Sequence, residues 1–134
     1  MRGDVCISGY FDPVHEGHLS HITEAKALGG RLVAIVPTDS LILRFKHHEP
    51  FHSQDGRMRL LCALGVDDCV HNVDTDGTCA ETLKLLKPSI FAKGAEYSIV
   101  TLPDKERQVC EANDIQMVFG VGRRLNRSSK WTQP

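Results

Sequence analysis

The chain has 134 residues, of which 41% are hydrophobic and 25% charged, enough apolar material for one packed domain and too much for a disordered chain. Sixteen Lys and Arg against seventeen Asp and Glu leave a formal net charge of −1, which gives no electrostatic reason to expect nucleic acid or an anionic membrane as a partner. No apolar run approaches the roughly 20 residues of a membrane-spanning helix, and Met1-Arg2-Gly3-Asp4 leads straight into a strand-like run without a signal-peptide apolar region. The expectation is a soluble, cytoplasmic, single domain over residues 1–134. Its five cysteines are scattered and form no C-x-x-C pair, so they read as reduced and structural.

Apolar runs and helical patterns alternate along the chain. Val5 to Ser8 is a short buried strand, followed by the turn-rich Gly9 to Pro13. From Gly17 to Leu28 the apolar residues recur at near-helical spacing, and Gly29-Gly30 stops that helix. Arg31 to Val36 is a second strand, apolar on both faces as in a parallel sheet, and Pro37-Thr38-Asp39 ends it. Phe45 to Gly56 reads as a polar loop, and a helix follows from about Arg57 to Leu64. A strand around Cys69 to Val73 runs into the turn Asp74 to Gly77. Thr78 then caps a helix running to Leu86, with Glu81 at the third helical position as in a capping box. Ile90 to Ala92 is a strand, Asp104 to Asn113 a helix and Gln116 to Val121 a last strand. From Gly122 onward the tail is basic and polar. This alternation predicts an α/β fold: a Rossmann-like, parallel, five-stranded sheet with helices on both faces. A small-molecule site then belongs in the crevice beyond the C-terminal strand ends.

The segment from Gly9 to His21, G-Y-F-D-P-V-H-E-G-H-L-S-H, is the most informative. A strand passes through a tight turn into a helix start, where unpaired backbone N–H groups favour phosphate. Gly9 allows close backbone approach, and Gly17 leaves room for a ligand. His15 and His18, three apart, share one face of the first helical turn. From there they can donate hydrogen bonds to charge that develops in phosphoryl or nucleotidyl transfer. Zinc is the competing use of such histidines. H-E-G-H lacks the spacing of H-E-x-x-H and no third ligand stands at characteristic spacing, so no protein-held metal is expected.

G-Y-F-D-P-V-H-E-G-H resembles the signature of the cytidylyltransferase-like nucleotidyltransferases, whose hallmark is H-x-G-H after the first strand. Val36 to Asp39 is similar to that family's strand-end V-x-T-D, and Phe91 to Glu96 resembles its V-K-G-G-D segment. Gly122 to Ser129 occupies the place of its closing serine- and threonine-rich motif. Within the family the nearest likeness is to glycerol-3-phosphate cytidylyltransferase and heptose-phosphate nucleotidyltransferases. Glu96 and Ala95 stand where aspartate and glycine are usual, and Arg127 stands where a small residue begins the closing motif.

The resemblance implies condensation of a nucleoside triphosphate with a phosphorylated alcohol, releasing pyrophosphate, with Mg²⁺ carried by the nucleotide and no covalent intermediate. His15 and His18 would contact the triphosphate. Lys46 would reach the nucleotide or acceptor phosphates, and Arg57 would complete the catalytic set. Gly9, Tyr10, Phe11 and Gly17 belong to the nucleotide-binding signature. Lys93, Gly94 and Glu96 would line the base and ribose pocket, and Arg127, Ser128 and Ser129 would close over the β- and γ-phosphates. The leading expectation is transfer of CMP from CTP to a small phosphorylated alcohol or sugar such as glycerol 3-phosphate. An adenylyltransferase using ATP with FMN or heptose phosphate, or a nucleotide-binding module without turnover, are the alternatives. Relatives of this kind imply a homodimer.

Overall fold

Five short strands pair in one wholly parallel sheet in the order β3-β2-β1-β4-β5. They belong to a computed structural model that describes residues 3–122. In chain order the elements are β1 (Val5–Ser8), α1 (Glu16–Lys26), β2 (Leu32–Val36), α2 (Asp39–Lys46), α3 (Gln54–Ala63), β3 (Asp68–His71), α4 (Ala80–Leu86), β4 (Ile90–Ala92), α5 (Asp104–Ala112) and β5 (Gln116–Val118). The chain builds outward from β1 to β3, then returns to place β4 on the other side of β1. That reversal opens a crevice beyond the C-terminal ends of β1 and β4, where α/β sheets bind ligands. No helix among the described residues is long and apolar enough to cross a membrane.

Strand residues alternate between the two faces of the sheet, and the core divides accordingly. Val5, Ile7, Leu32, Ala34 and Ala92 pack with Ile22 and Ala25 of α1 and Leu61 of α3. On the opposite face Cys6, Ile35 and Phe91 pack with Leu83 of α4 and Cys110 of α5. Both faces of β2 are buried throughout, which is why its sequence is apolar without interruption. Three cysteines lie buried in or beside these strands as free thiols, and burial pushes the thiols of Cys6, Cys79 and Cys110 up, that of Cys110 to about 11.

Three local expectations are corrected. The segment after β2 is a helix, α2, so Phe45 and Lys46 belong to its last turn and not to a loop. Thr38 caps it by taking the Leu41 N–H on Oγ1 at 3.3 Å. Helix α3 begins at Gln54, three residues before Arg57, with Ser53 accepting from Gly56 N. Gly56 hid that first turn, because glycine disfavours a helix by about 1 kcal/mol relative to alanine. The capping box expected at Thr78 does not form. Cys79 is the N-cap residue of α4 and makes no side-chain cap. Thr78 Oγ1 takes only the first helical N–H, that of Ala80, at 3.4 Å, and the next two are capped by Asp74, which takes the Glu81 N–H on Oδ2 at 2.9 Å and the Thr82 N–H on Oδ1 at 3.0 Å.

Candidate active site

A cavity of about 500 Å³ opens where the crevice rule places it, between the first turn after β1 and the segments after β3 and β4, within the usual size of a small-ligand site. Gly9, Tyr10, Phe11, His15, Gly17, His18, Lys46, Lys93, Gly94 and Glu96 all line it. Arg127, Ser128 and Ser129 lie outside the described residues.

At the start of α1 two histidines do the work that serine and glutamate usually do. His15 is the N-cap in extended conformation, and its Nδ1 accepts the Gly17 N–H at 3.0 Å. Nδ1 of His18 accepts the His15 N–H at 3.1 Å. The rings stack with centroids 3.9 Å apart. An imidazole nitrogen that accepts carries no hydrogen, so the ring hydrogen of each neutral histidine is on Nε2. The Phe11 ring meets His18 edge-on at 5.0 Å. Phe11 is buried with φ 52, a conformation that costs a non-glycine residue free energy. A Cβ at Gly9 would press on this ring at 3.2 Å; glycine there seats Phe11, and Phe11 supports His18.

Two lysines bring positive charge. Lys46, at the end of α2, holds Nζ 4.7 Å from the centre of the Tyr10 ring. Lys93, just past β4, is only 7% exposed, so it does not snorkel to the surface as a lysine in that position ordinarily would. Its Nζ donates to Ser8 Oγ at 3.4 Å and lies 4.1 Å from the centre of the Tyr97 ring. Its backbone is pinned on both sides, N–H to Val118 O and C=O from Val121 N. A Cβ at Gly94 would run into the Glu96 carboxyl group.

Arg57 is placed differently. It is fully buried and does not line the cavity. Its guanidinium donates to His52 O at 3.2 Å, to Tyr10 O at 3.1 Å and to Asp39 Oδ1 at 2.8 Å. The three bonds tie the loop before α3, the signature turn and the start of α2 together. Asp12 reinforces the same junction, its carboxylate accepting from Phe51 N and His52 N.

Several cavity residues escaped the sequence reading: His21, Asn72, Asp74, Cys79, Tyr97 and Glu106. His21 donates from Nδ1 to Val121 O at 2.8 Å, and burial pushes its pKa below the ordinary value despite that bond. Beside it, Gly122 N donates to Glu24 Oε1 at 2.9 Å, and a Cβ on Gly122 would run into the backbone of His21. Glu106, 4% exposed, accepts the Cys79 N–H on Oε2 at 3.0 Å. Burial, then the charges of Glu96 and Glu106, push the Tyr97 phenol up. In sequence Glu106 sits in D-K-E-R-Q, a run that reads as a solvated helix face. Among the described residues no group of three or more His, Cys, Asp or Glu is arranged to hold a metal ion.

The family model described as cytidylyltransferase-like matches residues 6–124. The bifunctional protein HldE of Marinomonas sp. (strain MWYL1) is 32% identical over 124 residues, covering 90% of this chain and 26% of that protein. That of Pseudomonas savastanoi pv. phaseolicola is 36% identical over 96 residues, covering 71% of this chain and 20% of the relative. The chain therefore spans about a quarter or less of the length of these relatives. Among solved structures, the lipopolysaccharide core biosynthesis protein from Thermoplasma volcanium superposes with a TM-score of 0.71 at 26% identity, covering 89% of this chain and 96% of that one. Pantothenate synthetase from Thermus thermophilus, at 14% identity and a TM-score of 0.57, shares the fold over 87% of this chain and 55% of its own. With the H-x-G-H helix start, the parallel sheet and a family match that runs nearly from end to end, the chain belongs to the cytidylyltransferase-like family of nucleotidyltransferases.

Proposed function

We propose that this chain transfers the adenylyl group of ATP to a phosphorylated sugar of the heptose-phosphate kind, releasing pyrophosphate. The observation that carries the transfer reading is the paired histidine cap: two imidazoles with hydrogen-bearing Nε2 at a helix start, beside Lys46 and Lys93 on one cavity. The likeness to HldE proteins and to a lipopolysaccharide core biosynthesis protein supports ATP and a sugar phosphate over the expected CTP and glycerol phosphate.

An oxygen of the acceptor phosphate attacks the α-phosphorus, and the bond from that phosphorus to the oxygen bridging to the β-phosphate breaks. The nucleophile is already an anion at neutral pH, so no general base is needed. Catalysis is the alignment of two anions and the neutralisation of their repulsion. His15 and His18 donate from Nε2 to the phosphate oxygens where charge builds. Lys46 and Lys93 neutralise the acceptor phosphate and the departing pyrophosphate. Arg57 acts through Tyr10 and Asp39 as a positioning residue. Mg²⁺, a hard cation suited to the oxygens of the triphosphate, supplies charge neutralisation when bound with the nucleotide. Arg127, Ser128 and Ser129 are assigned to the β- and γ-phosphates on the sequence motif.

Calorimetric titration with ATP and with CTP, each with Mg²⁺, followed by pyrophosphate release over a panel of phosphorylated acceptors, tests the reading. ATP binding and ATP-dependent release with heptose 1-phosphate are expected. Preference for CTP would restore the cytidylyltransferase form, and binding of neither nucleotide would overturn both.

A further inference from the structure

Glu106 takes no part in the reaction just described. The side chain lines the cavity, and one of its oxygens is fully used: Oε2 accepts the Cys79 N–H at 3.0 Å and the Cys79 thiol at 3.5 Å. The other, Oε1, is buried and meets no hydrogen-bond donor among the described residues. A buried polar oxygen without a partner costs roughly 1–3 kcal/mol, and more when charged, so folded proteins hold few of them. A carboxylate accepts and does not donate. Only an O–H or N–H group can complete this one, and the cavity is where such a group can arrive.

Charge and placement narrow the partner. Asp74, 8% exposed, lines the same cavity, so two carboxylates make this part hostile to a phosphate. Glu106 is bonded to Cys79, which belongs with α4 and α5 to the core cluster on one face of the sheet. His15 and His18 open α1, which packs on the opposite face. Gly122, where the segment resembling the closing motif begins, is bonded to Glu24 of that same α1. The histidine donors to the triphosphate are therefore on the α1 side, while Glu106 and Lys93, whose Nζ lies 5.1 Å from the centre of the Phe91 ring, line the cavity from the α4–α5 side.

We infer that Glu106 reads the acceptor: its carboxylate takes a hydroxyl of a polyhydroxylated sugar phosphate, whose own phosphate lies toward Lys46 and Lys93. The inference rests on the transfer reading above and names the residue that selects its acceptor. The bond orients the sugar so that its phosphate meets the α-phosphorus, and it selects hydroxylated acceptors over plain alkyl phosphates. Sites built around a hydroxyl discriminate strongly, because an analogue lacking it leaves a buried group unpaired.

The test is Glu106→Gln, read in parallel on Glu106→Asp, which keeps the charge but withdraws it by one methylene. Heptose 1-phosphate, mannose 1-phosphate and methyl phosphate serve as acceptors. In both variants KM for the two sugar phosphates should rise by about tenfold or more, with KM for methyl phosphate and the ATP dissociation constant within about twofold of wild type. The melting temperature of Glu106→Gln should stay close to that of wild type, since the amide oxygen still accepts from Cys79 N and one unpartnered polar group replaces another. Unchanged sugar-phosphate KM overturns the inference, as does an equal loss with methyl phosphate, which would mark a structural residue. A loss that falls on ATP would mean that Glu106 reads the base, and also overturns it. If no acceptor releases pyrophosphate, the transfer reading fails by itself, and saturation-transfer NMR with mannose 1-phosphate then decides. Binding weakened by Glu106→Gln sustains the assignment, whereas no binding to wild type, or equal binding, ends it.

Discussion

His15 and His18 cap one helix for each other: His18 Nδ1 holds the backbone N–H of His15, and His15 Nδ1 holds that of Gly17. The helix start is held by Nδ1 of each ring, whereas the proposed chemistry runs through Nε2. The two uses separate by substitution. Asparagine places an acceptor near Nδ1 but has nothing at Nε2, so His15→Asn and His18→Asn should keep the melting temperature while kcat falls about 10²–10³-fold. Alanine at either position should lose activity to the same degree and also cost about 1 kcal/mol of stability. Melting curves and pyrophosphate release on the four variants check both halves.

Arg57 predicts the reverse pattern. Its buried guanidinium makes three hydrogen bonds and does not line the site cavity. Arg57→Leu should cost about 1–3 kcal/mol, since it removes three hydrogen bonds, while the half-exposed Asp39 carboxylate can turn to water. Arg57→Lys should recover only part, because an ammonium cannot span the same fork. Urea unfolding followed by circular dichroism gives the numbers. An unaltered midpoint for Arg57→Leu would remove the buttress role.

The cap of α4 offers a sharp comparison. Asp74→Ala removes the acceptor for Glu81 N, Thr82 N and the Thr82 hydroxyl, and should lower stability by about 1–2 kcal/mol. Thr78→Ala, at the position that the sequence pattern favours, should cost well under half of that. Denaturant midpoints of the two variants measured side by side settle the order.

His21 makes stability depend on pH. Burial lowers its pKa in the folded state from the ordinary 6.5, so between the two values the unfolded chain binds the extra proton. Its contribution is present in full above 6.5 and is lost as pH falls through 6.5 toward the folded value. His21→Asn keeps an N–H donor for Val121 O and cannot titrate. Thermal melts from about pH 7.5 to about pH 5 should show a smaller acid-side fall for this variant than for wild type.

The strands, four of the helices and the H-x-G-H helix start were legible because each depends on local pattern: apolar runs, helical spacing, a glycine-bounded turn. What was missed depends on contacts across the chain. Nothing near Thr78 in sequence announces that Asp74 reaches the α4 backbone first. Helix α2 was hidden by the polar stretch that follows it, which drew Phe45 and Lys46 into an apparent loop. Arg57 opens a helix by resemblance, yet the structure buries it because Asp39 and Tyr10, 18 and 47 residues away in sequence, supply its acceptors. Glu106 looked solvated for the same reason, its bond to Cys79 spanning 27 residues.

The sheet also acts as a partition. The paired histidines stand at the start of α1, which packs on one core cluster, while Glu106 and Cys79 stand over the other. A change that loosens or repacks one side has little direct contact with the other, and the effects of distant substitutions mostly add. Under the proposed roles, divergence proceeds one wall at a time: a descendant trades its acceptor by rewriting the α4–α5 wall and inherits the histidine cap untouched.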